Sequence, residues 1–341
     1  MKDTKRARII RALKQLALTS HTGISRSDAA EHLQIDLRTA SLYLEQLAEN
    51  GLLRSEKVSS GGKGRPCTIY RSNADNLCFL GIKISSNLDV SAVVIDAVGR
   101  ELHRESLVLP ENVSRLSLFS AILDMVKRNK SVDNRSLYGI GLAISRWLQP
   151  PLAGEDVYAN LADYLERESG VAVHRDVNIN AVAFGLAKQL NIRNLALIHT
   201  GKVIEFGLVR DGVPVPDFLK REAWLSHICV NPDGRRCYCG KYGCLENYVT
   251  SGARSERLSK GNTNATLIAL GKMLGIAMVR MVRKYPVDTV LLMGSDDIFP
   301  AAEEYFSSRI TQQVYIKNQR SLPMVDYAVA LEASHFELLL S

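Results

Sequence analysis

Four potential metal donors fall within residues 227–244: His227, Cys237, Cys239 and Cys244. Three thiols and an imidazole this close together can close a tetrahedral shell around one zinc ion. Gly234, Gly240 and Gly243 punctuate the same stretch and allow the tight turns that aim sulfurs inward. Four of the six cysteines lie between 229 and 244, so they form a cluster and not background usage. The alternatives are a disulfide pair, or cysteines packed as small apolar residues. No secretory pattern precedes the chain, and cytosolic thiols stay reduced, which favours the metal. One loop supplies all four ligands and leaves no open position, so the expected zinc is structural and not catalytic.

Something must position that loop. The chain has 341 residues, enough for two or three domains, and its 46% hydrophobic and 23% charged content is that of an ordinary soluble protein. No uninterrupted apolar run approaches the ~20 residues of a membrane span, so no membrane partner is expected. Residues 1–20 are basic without an apolar signal region, and the expected location is the cytoplasm. The net charge of +7 is unevenly placed: residues 1–71 hold 13 Lys/Arg against 7 Asp/Glu, a balance of +6, and the rest carries +1. A basic module on a neutral body points to a polyanion partner at the front end.

That front end, residues 1–71, reads as a winged helix-turn-helix. Ile9, Ile10, Leu13, Leu16 and Ala17 recur at helical spacing. Ser25-Arg26-Ser27-Asp28 has the form of a capping box opening a second helix. Gln34-Ile35 turns, Asp36 caps a third helix to about Asn50, and Gly51 ends it in the left-handed region. Two strands, 52–58 and 67–70, flank the basic, glycine-rich segment 59–66. In this plan the third helix enters the major groove of double-stranded DNA and the wing lies along the backbone or minor groove. The candidate DNA-binding residues are Arg26, Leu37, Arg38, Thr39, Ser41 and Leu42, with Lys63 and Arg65 at the wing tip. Arg38 alone would read as a solvated charge, and the glycine-rich segment alone as a linker. Their ordered succession is what carries the expectation.

After a linker at 71–75, strands are expected at 78–85, 89–96 and 102–109, then a helix over 114–128 and a strand at 138–144. A second meander follows at 194–200, 204–210 and 213–215, then a helix at 266–285, a strand at 287–294 and a final helix at 327–340. Two similar strand-rich units with helices imply a duplicated α/β architecture with a cleft between lobes.

Taken together these features resemble the ROK family of repressors and sugar kinases. The resemblance rests on Gly64-Arg65-Pro66 and on residues 237–246, which match the family pattern Cys-x-Cys-Gly-x-x-Gly-Cys-x-Glu. It implies an N-terminal winged helix-turn-helix followed, over 76–341, by a two-lobed actin-like (ribonuclease-H-like) sugar-kinase-type domain for effector binding and oligomerisation. Within that domain it implies a zinc loop at 227–246. His227 and the three cysteines become the ligands, and Cys229 is an extra cysteine.

The departures from the family pattern decide the expected function. Where family kinases open with a phosphate-holding Asp-x-Gly-Gly-Thr turn, this chain has Lys83-Ile84-Ser85-Ser86-Asn87. The second phosphate loop reads Gly201-Lys202-Val203-Ile204-Glu205-Phe206-Gly207, keeping only its outer glycines. Bulky residues cannot supply such turns, and Glu205 would set a carboxylate against a polyphosphate, so no ATP is expected. The catalytic aspartate of the family aligns with Asn178, and an amide has no proton affinity near neutral pH. Of the sugar contacts, His227 and Glu246 remain, with Asn178 able to hydrogen-bond. Arg146 and Trp224 replace other members of the set, either as new effector contacts or as groups that fill the cleft. The expectation is a non-enzymatic DNA-binding transcriptional regulator, a repressor of carbohydrate-related genes, working as a homodimer or homotetramer. A sugar or sugar derivative is the candidate effector. The alternatives are a sugar kinase, which Lys83, Asn178 and Glu205 argue against, and a regulator with no small-molecule input.

Overall fold

A computed structural model describes residues 5–20, 22–58, 67–85, 88–110, 112–144, 157–176, 178–215, 225–260, 262–294, 296–311, 315–318 and 325–335. The basic head contains α1 (Lys5–Thr19), β1 (Ile24–Ser25), α2 (Arg26–Leu33), α3 (Leu37–Glu49), β2 (Leu53–Val58) and β3 (Cys67–Ser72). Its sheet has the order β1-β3-β2, and β2 and β3 pair antiparallel from Leu53↔Ser72 to Val58↔Cys67. The caps are as the sequence predicts. The Ser25 hydroxyl accepts from the Asp28 amide while Asp28 accepts from the Ser25 amide, a full capping box. Gln34 turns the chain at φ 52°, the Asp36 carboxylate accepts from the Thr39 amide, and Gly51 leaves α3 at φ 78°. Leu13, Ala17, Ala29, Ala40, Leu44 and Leu52 are fully buried and hold the three helices to the sheet.

Next come β4 (Leu77–Ile84), β5 (Asp89–Asp96), β6 (Glu101–Val108), α4 (Arg115–Arg128), β7 (Ser131–Val132), β8 (Arg135–Ile144), α5 (Val157–Ser169) and β9 (Ala172–Asp176). β4 is apolar on both faces because it is central: β5 pairs with it antiparallel and β8 parallel. β6 alternates between exposed and half-buried positions, as befits a sheet edge. Asp96 closes the β5–β6 turn by accepting from the Val98 and Arg100 amides and the Arg100 guanidinium. One core joins this sheet to α4 and α5 through residues such as Leu80, Ile82, Ile122, Leu142 and Leu161.

The remainder repeats the scheme. It comprises α6 (Asn178–Gln189), β10 (Leu195–Thr200), β11 (Ile204–Arg210), β12 (Val213–Pro214), α7 (Glu246–Val249), α8 (Ser251–Leu258), α9 (Thr263–Lys284), β13 (Thr289–Gly294), α10 (Phe299–Ser307), β14 (Tyr315–Asn318) and α11 (Val325–His335). The sheet order β12-β11-β10-β13-β14 matches β6-β5-β4-β8 with β9 beyond β8. In each, an antiparallel meander is followed by a parallel strand placed beside the meander's first strand. The expected duplication is therefore real at the level of strand order. Helix α9 is long and apolar enough to cross a bilayer, yet Leu270, Leu274, Ala277, Met278, Met281 and Val282 are buried in the core of this sheet. Its methionines Met273, Met278 and Met281 pack in that core.

By contacts the chain divides into residues 1–175 with 329–341, and residues 176–328. The second stretch is continuous and the first is not. Gly141 on β8 shows how α11 rejoins the first: a Cβ there would lie 2.0 Å from the Val329 carbonyl oxygen. Only glycine permits that approach.

Candidate functional site

The four donors predicted from spacing converge. The ligand atoms of His227, Cys237, Cys239 and Cys244 all lie within 4.8 Å of one another. His227 ends a short 3-10 turn (Leu225–His227), and its Nδ1 is 3.5 Å from Cys237 Sγ. Cys239 Sγ and Cys244 Sγ are 3.6 Å apart, and all six cysteines are free thiols. Ligands sharing a tetrahedral ion through metal–sulfur bonds of about 2.3 Å would stand roughly 3.8 Å apart for two sulfurs and 3.6 Å for sulfur and nitrogen. Donor set and spacing both fit a divalent metal ion. Burial lowers the His227 pKa, keeping the imidazole neutral and able to ligate, while burial pushes the Cys244 thiol up to about 12. Ion binding therefore displaces thiol protons.

Backbone turns aim the sulfurs. The Cys239 amide hydrogen-bonds to the Cys237 sulfur and the Lys241 amide to the Cys239 sulfur. The Cys237 amide donates to the Lys241 carbonyl at 2.7 Å and the Gly240 amide to the Cys237 carbonyl at 2.9 Å. Gly243 is the position that demands glycine: φ is 63°, and a Cβ would fall 1.5 Å from the Asn231 carbonyl oxygen. Leu225, Val230, Leu245, Tyr248 and Val249 flank the ligands and belong to the second core, so the loop is rooted in it. Arg280 on α9 donates to the Cys229 carbonyl. Arg235 in the same loop pairs with Glu256.

Glu246, the first residue of α7, directly follows this loop. Its carboxylate accepts from the Ile204 amide, its Oε2 is buried without a hydrogen-bond partner, and burial raises its pKa. Among the other candidate effector residues, Asn178 opens α6, but its side chain, Arg146 and Trp224 lie outside the described residues. Sequence reasoning gave Asn180 no role. It is fully buried, donates to the Asp176 carboxylate at 2.6 Å and the Val215 carbonyl at 3.0 Å, and accepts from the Leu208 amide at 3.0 Å.

At the two turns aligned with phosphate loops, the described residues bond to one another. After β4, the Leu88 amide donates to the Ser85 carbonyl at 3.1 Å and the Asp89 amide to the Ser85 hydroxyl at 3.0 Å. Among the described residues of this turn, the Ser85, Leu88 and Asp89 amides are thus already bonded and not free to cradle a phosphate. Between β10 and β11 the strands run in register to Thr200↔Ile204, and the Gly201 amide donates to the Val203 carbonyl. Glu205 faces His199, with 2.9 Å between carboxylate and Nδ1. Gly207 has a packing reason: a Cβ there would stand 2.5 Å from the Ile179 carbonyl oxygen.

In the head, Arg26, Leu37, Arg38 and Leu42 are exposed, with Leu37 at 49% and Leu42 at 60% despite their apolar side chains. Thr39 and Ser41 are half-buried and locally bonded: the Thr39 hydroxyl donates to Asp36 at 2.6 Å, and the Ser41 hydroxyl to Glu45 at 2.9 Å. Lys63 and Arg65 lie outside the described residues.

Comparison with known proteins agrees with this architecture. The chain is 24% identical over 254 residues to NagC, a DNA-binding transcriptional dual regulator of Escherichia coli K12, covering 69% of this chain and 61% of that protein. It is 22% identical over 269 residues to Mlc, a DNA-binding transcriptional repressor of the same organism, covering 73% and 64%. The chain thus spans less than two thirds of the length of either relative. A solved ROK-family transcriptional regulator, a homologue of the E. coli Mlc protein, superposes with a TM-score of 0.72 at 16% identity, covering 98% of both chains. The family model for ROK matches residues 80–270, more than half the chain, and the chain belongs to the ROK family.

Proposed function

We propose that this protein is a DNA-binding transcriptional regulator, a repressor of carbohydrate-related genes, whose kinase-like body no longer transfers phosphate. The observation that carries this reading is the exposed α3, with Leu37, Arg38 and Leu42 on a capped helix-turn-helix, attached to a ROK body. Leu37 and Leu42, exposed on the third helix of a basic head, suit contact with thymine methyl groups. Residues 1–71 form the DNA-binding domain and 76–341 the effector and oligomerisation domain. Two heads of a homodimer or homotetramer would read a palindromic site. In the cytoplasm, where thiols stay reduced, the ion at His227, Cys237, Cys239 and Cys244 is zinc, the usual partner of a three-thiolate, one-imidazole set. Zinc would supply no chemistry there beyond cross-linking the loop that delivers Glu246.

The bonds among Ser85, Leu88 and Asp89 and between Gly201 and Val203, together with an amide at position 178, support a body that neither holds ATP nor deprotonates a sugar hydroxyl. Glu246 retains a buried acceptor oxygen for a sugar hydroxyl, so a sugar or sugar derivative is the proposed effector. A genome-wide footprint, followed by binding to the recovered sites across a salt series, tests the regulator. Arg38→Ala and Arg65→Ala should each weaken binding and flatten its salt dependence. Phosphotransfer from ATP to a sugar by the purified protein, with no site-selective DNA binding, would replace this reading with the kinase.

A further inference from the structure

Of the four cysteines between 229 and 244, Cys229 alone lies outside the four-donor set, and the proposed function gives it no role. Cys229 lies opposite Cys244 in an isolated antiparallel bridge. The bonds flanking that pair run from the Val230 amide to the Gly243 carbonyl at 2.8 Å and from the Leu245 amide to the Ile228 carbonyl at 2.9 Å. Cys229 and Cys244 are therefore the non-hydrogen-bonded pair of this bridge. At such positions the Cα atoms stand about 4.5 Å apart and the side chains share one face. Disulfides accept Cα separations from about 4.4 to 6.8 Å, so backbone position alone already suits a cross-strand bond. Exposure differs between the two: Cys229 is partly exposed and Cys244 fully buried.

We propose that Cys229 and Cys244 are a redox modification site, in which hydrogen peroxide closes a Cys229–Cys244 disulfide and releases the bound ion. The release step rests on the metal reading given above; the pairing does not. The Cys229 sulfur, as thiolate, attacks peroxide. An S–O bond forms, the O–O bond breaks, and the departing hydroxide leaves as water, giving a sulfenic acid at Cys229. The Cys244 thiolate then attacks that sulfur. The S–S bond forms, the S–O bond breaks, and a second water leaves, so two thiols are oxidised by two electrons and one peroxide is reduced. Cys239 is exposed and its sulfur lies 3.6 Å from that of Cys244. A bond between those two would remove two ligands from the metal, whereas the bond to Cys229 removes one. With Cys244 withdrawn, His227, Cys237 and Cys239 no longer close a four-coordinate shell.

The test uses the full chain, purified under reductant with its metal content measured, then treated with hydrogen peroxide. Ion release is followed with a chromogenic chelator and disulfides are located by peptide mass mapping. The expected result is a Cys229–Cys244 peptide formed in step with ion release. Cys229→Ser should slow release by an order of magnitude or more while keeping wild-type metal content and melting temperature under reductant. Cys229→Ala serves if serine disturbs the fold. Release at the wild-type rate from either variant, or a dominant Cys239–Cys244 or Cys237–Cys239 disulfide, overturns the proposal. A protein purified without metal would refute the metal reading, and the disulfide map would still decide the pairing.

Discussion

Gly243→Ala and Gly240→Ala make a matched pair of perturbations in the metal loop. Both glycines have positive φ, 63° and 90°, so both alanines bear the left-handed penalty of about 1–2 kcal/mol. Their surroundings differ completely. A Cβ at Gly240 meets nothing within 4 Å, whereas at Gly243 it falls 1.5 Å from the Asn231 carbonyl oxygen. That oxygen accepts the Gly234 amide, and the Gly243 carbonyl accepts the Val230 and Asn231 amides, so any shift that relieves the clash strains three backbone bonds. At about 1 kcal/mol each, disturbing two or three of them adds about 2–3 kcal/mol. Cys244 is the next residue, so the loop's folding energy and its metal affinity are one quantity. The extra cost corresponds to about a hundredfold in metal dissociation constant, at 1.4 kcal/mol per tenfold. Competition against a chelator of known affinity, run on both variants, measures it. Equal affinities for the two alanines would refute the argument that the Asn231 approach fixes the loop.

Asn180→Ala removes the buried partner of Leu208, Val215 and Asp176 and should destabilise residues 176–328 by about 3–5 kcal/mol, read by urea denaturation. Ser25→Ala loses one half of the capping box and should cost the head about 1 kcal/mol, seen as a lower melting temperature and weaker DNA binding. Arg235 and Lys260 hold the Glu256 carboxyl at about 2. Because that value is depressed, their contribution is fully present above the ordinary glutamate range and is lost as pH falls toward 2. A carbon-detected NMR titration should therefore show the Glu256 midpoint rising toward the usual range in Arg235→Ala.

Features that depend on neighbouring residues were readable from the chain alone. The Ser25–Asp28 box, the Asp36 cap, Gly51 and the clustering of four potential donors all act across a few positions, so residue type and spacing suffice. What escaped was long-range or without period. Helix α6 buries Ile179, Ala181, Val182, Ala183 and Phe184 in near succession, leaving no polar face to reveal a helical stripe. Helix α5, the short strands β1, β7 and β9, and strand β14 were likewise not foreseen. Asn180 is bonded to groups 28 and 35 residues away, a relation that no local pattern carries. By spacing, Gly207 reads as the survivor of a phosphate loop. Its contact with Ile179 supplies a packing reason for glycine that has nothing to do with nucleotide.

The discontinuity of the first contact unit has a consequence for synthesis. Residues 176–328 are contiguous, so that unit can close as soon as it clears the ribosome. The sheet built on β4 and β8 has to wait: the surface of β8 at Gly141 is covered by the Val329 backbone, which is translated after the whole intervening unit. Until then that part of the sheet face stands open on a nascent chain whose basic head has already emerged. The order of completion is thus head, second unit, and last the β4–β8 sheet of the first unit, and a premature stop between 295 and 325 would leave the head attached to an unfinished sheet.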